Sequence, residues 1–159
     1  MPTEVIVHAP GYQKSAPYEE IAHYLQPLPD AHIVGNEFVF GDEEARIQMS
    51  AIPGHAQDGS GASRRPGPDS TGQCNYVLLT VPEEYLATTR EPLAEFSFNL
   101  ARQLGWEVYN GASEQPAKSE TELLQRLSGK PLAARSLGSC TGVLALLLPF
   151  ALLLFLLLR

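Results

Sequence analysis

HAPGYQKS (residues 8–15) brings the residue types of an anion or acid–base site into one short segment, where an apolar run gives way to an amphipathic one. A phosphate-cradling loop needs G-x-x-x-x-G-K-[ST], because its glycines let backbone amides turn toward the phosphates. Here His8 and Gln13 stand at both glycine positions. What remains is a weak anion site made of His8, Lys14 and Ser15 at a helix start. The same turn is where an enzyme reading would draw its residues, with His8 and Tyr12 forming a small polar cluster.

The other chemical groups are scattered. His8, His23, His32 and His55 show no metal-ligand spacing, and neither Cys74 nor Cys140 lies near them in sequence. Cys74 has no basic neighbour to activate its thiol, so packing is its expected role. Glu19-Glu20, Glu43-Glu44 and Glu83-Glu84 fall at helix starts or turns, where carboxylates favour the helix dipole or keep strand ends wet. No catalytic residue, cofactor or metal is expected from these patterns. Residues 1–110 carry 15 acids and 6 bases, a balance of −9, and residues 111–159 carry 3 and 5, a balance of +2. An acidic head is repelled by nucleic-acid backbones and attracts basic proteins, so the expected partner is a basic protein.

The sequence's strongest signal lies from Leu137 to Leu158, 22 residues without a charge, 11 of them Leu. As a helix this stretch reaches about 33 Å, enough for a hydrocarbon core of about 30 Å. A small domain would hardly surround a helix that is apolar on every face. A glycolipid-anchor signal at Gly138, Ser139 and Cys140 would need an entry signal, which MPTEVIVHAPGYQ does not resemble. Arg126, Lys130 and Arg135 precede the stretch and Arg159 alone follows it, which orients the N-terminal head toward the cytoplasm. The expectation is a tail-anchored, single-pass membrane protein displaying a non-enzymatic binding head to the cytoplasm, its tail in the lipid bilayer. Gly138 and Gly142 form a G-x-x-x-G that would let two tails approach closely as a weak homodimer. A soluble binding or toxin-neutralising protein with a dispensable tail is the alternative, and an enzyme using the 8–15 turn the third.

The head must position whatever it binds. EVIVHA (4–9) reads as a buried strand, and Ser15 as the cap of a helix carrying Tyr18, Ile21, Leu25 and Leu28 on one face. HIVGNEFVF (32–40) reads as one strand kinked at Gly35, and ARIQMSAI (45–52) as another after a GDEE turn. Residues 54–73 hold five Gly, two Pro and no large apolar side chain, the composition of a disordered loop. NYVLLTV (75–81) reads as a strand. A helix capped at Thr88 or Thr89 follows, with Pro92 in its first turn, a Leu93, Phe96, Leu100, Leu104 stripe, and Gly105 as stop. WEVY (106–109) reads as the last strand. The order β-α-β-β-loop-β-α-β predicts an α+β sandwich of ferredoxin-like type over residues 1–110. A polar linker over 111–136 is expected to hold only a short helix, 119–128, whose SETE start is a capping box. The transmembrane tail would then occupy 137–158.

Overall fold

The computed structural model describes residues 2–27, 30–41, 49–56, 64–111 and 113–129. Its strands are β1 (Thr3–His8), β2 (Ala16–Pro17), β3 (His32–Val34), β4 (Glu37–Phe40), β5 (Met49–Ala56), β6 (Arg64–Pro66), β7 (Gln73–Cys74), β8 (Tyr76–Val81) and β9 (Glu107–Asn110), with helices α1 (Tyr18–Leu25), α2 (Leu86–Leu104) and α3 (Glu120–Leu127). The result is a mixed α+β fold with an antiparallel sheet in the order β3-β4-β5-β8-β1-β9, with β6 paired to β5. Two chain connections cross over other strands of the sheet, one passing a single strand and the other three. α2 carries the chain from β8 to β9 with β1 lying between them, and the segment containing α1 leads from β1 across β8 to the β3–β4–β5 side.

β1 sits inside the sheet, bonded to β8 (Ile6 opposite Leu78) and to β9 (Val7 opposite Val108). Val5, Val7, Val77, Leu79, Val81, Ala51, Met49, Phe38, Phe40 and Val108 alternate onto one face. That face packs against Ile21 and Leu25 of α1, Leu93, Ala94, Leu100 and Ala101 of α2, and Leu123 and Leu127 of α3. The stripe read from α2 is therefore present but wider, because Ala94, Ser97 and Ala101 are buried beside it. Ile6, His8 and Tyr76 lie on the opposite face and are buried there as well.

Several local expectations give way to backbone chemistry. Ser15 does not cap α1. The N-cap is Pro17, without a side-chain bond, because a residue before proline is pushed out of the helical region and Ala16 instead joins β2. Residues 32–40 are two strands and not one kinked strand. Gly35, at φ +64, and Asn36 form a two-residue turn that sets Val34 opposite Glu37. Neither Thr88 nor Thr89 caps α2, which begins at Leu86 after a 3-10 turn at Glu83–Tyr85 and runs through Pro92. Gly105 does end that helix, in the left-handed region at φ +66.

Two boundaries also move. Within the 54–73 segment expected to be disordered, residues 54–56 continue β5 and 64–66 pair with them as β6, while 57–63 lie outside the described residues. Asp69 shapes the rest: its Oδ1 accepts from the Thr71 amide, the Thr71 hydroxyl and the Gln73 amide at 2.7–2.9 Å. The folded unit also does not stop at residue 110. Ala117 donates to the Val108 carbonyl at 2.8 Å, and Leu123 and Leu127 of α3 enter the core. The capping box forms in altered shape. Ser119 Oγ accepts from the Glu122 amide at 3.2 Å, but the Glu122 carboxylate reaches the Lys118 amide and not that of Ser119.

Thr89 Oγ1 is buried without a hydrogen-bond partner. Replacing it by the isosteric methyl of Thr89→Val is expected to raise unfolding stability by about 1 kcal/mol, since an unmet buried hydroxyl costs about 1–3 kcal/mol. Leu123→Ala is expected to lower stability by about 2–4 kcal/mol, as for a core leucine. Urea denaturation of the two variants checks both, and a near-zero effect of Leu123→Ala would return α3 to the status of a linker.

Candidate ligand-binding cleft

The cleft begins with the turn after β1. Tyr12 donates its amide to the Ala9 carbonyl at 2.9 Å across Pro10 and Gly11, with Gly11 left-handed at φ +61. Proline second and a left-handed glycine third is the pattern of a type II turn. Tyr12 itself is also left-handed, at φ +57. That conformation costs a tyrosine about 1 kcal/mol or more, so other contacts must hold it there.

The stack with His8 is such a contact. The Tyr12 and His8 rings lie parallel with centroids 3.9 Å apart. On its other face His8 stacks on Tyr109 of β9 at 4.1 Å. A buried imidazole is thus sandwiched between two phenol rings. Its Nδ1 lies 2.6 Å from the Ala9 carbonyl oxygen, which can only accept, so this nitrogen carries a hydrogen. Sheet register makes the assembly. His8 faces Glu107 across the β1–β9 pair, and Tyr109, two residues on, shares their face and reaches back over the imidazole. Its hydroxyl donates to Glu107 Oε2 at 2.7 Å. Burial pushes the Tyr109 phenol up to about 12, helped by the hydrogen bond to Glu107 and by the nearby charges of Glu107 and Tyr12.

Around this stack lies a cavity of about 400 Å³, lined by Ile6, His8, Gly11, Tyr12, Tyr109, Gly111, Ser113 and Glu114. Gly111, Ser113 and Glu114, beyond β9, form its far wall, and Arg126 of α3 holds that wall in place. Its Nη1 donates to Ser113 Oγ at 3.1 Å and to the Gln115 carbonyl at 2.7 Å, while Nη2 meets Glu122 Oε1 at 2.6 Å. With burial of most of its side chain, that network is a stronger pin than an open surface ion pair.

Of the weak anion-site residues, His8 alone lines the cleft. Lys14 and Ser15 are exposed, and α1 starts three residues after Ser15. Arg126, read as an orienting charge before the tail, is bound within the head, whereas Lys130, Arg135, Gly138 and Gly142 lie outside the described residues. Among the described residues no cluster of three His, Cys, Asp or Glu could hold a metal, and no helix is long and apolar enough to cross a membrane. The apolar stretch 137–158 lies outside them. Cys74 is buried and burial pushes its thiol up to about 11, with Asp69 adding to the shift, so it stays protonated at neutral pH. His55 Nε2 stands 3.6 Å from Asp69 Oδ2, away from the cleft.

At the far end of the sheet, β3 is the outermost strand of the described residues. Ile33 and Val34 on it are 49% and 60% exposed, and they are the exposed large apolar residues of the described chain. No protein-family model, curated protein or solved structure matches this chain.

The raised Tyr109 pKa carries a pH consequence. A free phenol ionises near 10. Because the folded state keeps its proton to about 12, the stabilisation is whole below about pH 10 and is lost as pH rises toward 12. Tyr109→Phe is expected to lower stability at pH 7 and to flatten the loss between about pH 10 and 12. Urea midpoints measured across that range for both proteins check it, and parallel pH curves would place Tyr109 outside any buried hydrogen bond.

Proposed function

We propose that this protein is a tail-anchored, single-pass membrane protein whose folded head is a non-enzymatic protein-binding domain of ferredoxin-like type facing the cytoplasm. Two helix-bearing crossovers, one passing over β1 and the other over β8, β5 and β4, packed on one face of an antiparallel sheet, support the fold assignment. The uncharged stretch from Leu137 to Leu158 supports the anchor. Basic residues before that stretch support the orientation.

The observation that carries the binding role is β3, the outermost strand among the described residues. An outer strand offers backbone donors and acceptors to an incoming strand, and proteins usually blunt such edges with short strands, charge or proline. This one is short, three residues, yet carries neither charge nor proline and exposes Ile33 and Val34 beside His32. An extended segment of a partner adding to that edge would gain backbone bonds from the strand and apolar contact from these two side chains. The acidic balance of the head favours a basic partner and speeds its approach, with salt weakening the attraction.

The anchor is tested by fractionating cells that express the full chain or a chain ending at Ser136, followed by alkaline carbonate extraction of the membranes. Full-length protein is expected to stay in the pellet and the shortened chain in the supernatant. If both are extracted, the anchor is wrong and the head acts as a free binding domain.

A further inference from the structure

We propose that the cleft beside β9 receives an arginine side chain presented by a basic protein partner. The inference rests on reading the head as a binding domain; it is independent of the tail and of the β3 edge. Three features of the cleft select the ligand. The first is its wall: Tyr12 and Tyr109 each use one ring face on His8 and are themselves part-exposed, so flat π surface borders a cavity of about 400 Å³. Cations are drawn to such faces, and a planar guanidinium also stacks on them.

Charge is the second feature. Among the described residues the lining includes the exposed carboxylate Glu114 and no lysine or arginine, while Glu107, outside the lining, holds the Tyr109 hydroxyl. Arg126, the nearest cation of the far wall, is held by Ser113, Gln115 and Glu122. An anionic ligand would therefore meet net repulsion, while a guanidinium could lie on a tyrosine ring and direct its fork of donors at Glu114. A compact ammonium lacks that planar match.

Rigidity is the third. The β1–β9 register fixes Tyr109, the left-handed turn fixes Tyr12, and Arg126 fixes the segment bearing Ser113 and Glu114. A strained residue held in place by surrounding contacts is a feature that accumulates at binding sites, because it presents a group without ordering cost on binding.

The probe is Nα-acetyl-arginine amide, titrated into the full-length chain in nonionic detergent micelles while the amide resonances of Gly11 and Gly111 are followed. Both glycines line the cleft and lie far from β3 along the sheet. A saturable shift of both is expected. The citrulline analogue, neutral but of the same shape, is expected to bind about tenfold more weakly, the loss of one charge-assisted contact. Glu114→Gln, at an exposed position, and Tyr12→Gly, which suits the left-handed backbone, are each expected to weaken binding by about threefold to fivefold, followed at Gly111, with the spectrum outside the 8–13 turn and its stack intact. Absence of a saturable shift, equal binding of the citrulline or lysine amides, or unchanged binding by both variants would overturn the proposal. A failed membrane extraction or a silent β3 edge would leave these shifts untouched, so the two readings fail separately.

Discussion

Everything in this head depends on β1 being bonded on both sides and buried on both faces. Val5 and Val7 supply the centre of the core beneath the helices, and Ile6 and His8 are buried on the reverse face. A strand in that position cannot slip by one residue without exchanging valines for a histidine in the core, so the register of β8 and β9 follows from it. The register then determines which side chains meet: Tyr109 over His8, and Glu107 within reach of the Tyr109 hydroxyl. The aromatic stack is a consequence of strand pairing, and the cleft is a consequence of the stack.

Much of this was legible in the sequence because it is written in local patterns. EVIVHA and NYVLLTV are short apolar runs, and they are β1 and β8. The Leu93–Leu104 stripe and Gly105 mark a helix and its end, and SETE marks the start of α3. The structure departs from these patterns for two reasons. Proline and glycine chemistry overrides periodicity where the two compete: Gly35-Asn36 reverses the chain, Pro17 displaces Ser15 from the cap, and Pro92 lies well inside α2. Average composition is the second. The polarity of residues 111–129 hides Ala117, Leu123 and Leu127, whose few apolar contacts are enough to dock α3 on the core.

The cleft was legible only in part. His8 and Tyr12 are four residues apart and could be paired from the sequence, but Tyr109 comes from 101 residues beyond His8 and meets it only through the sheet. Alternation in WEVY does place Glu107 and Tyr109 on one face, which was the available hint. Lys14 and Ser15 match the end of a phosphate motif, yet the turn that makes the site ends before them. The edge strand was equally hidden, since an apolar run gives no sign of whether it sits at the centre of a sheet or at its rim.

Amide hydrogen exchange on the full-length chain reconstituted into lipid vesicles tests this division of the molecule most directly. Slowest exchange is expected in β1 and β8, with α3 protected alongside them, the β3 edge exchanging fast, and the 137–158 stretch protected by the bilayer. Rapid exchange throughout 137–158 would contradict the anchored reading, and β1 exchanging as fast as β3 would contradict its place at the centre of the fold.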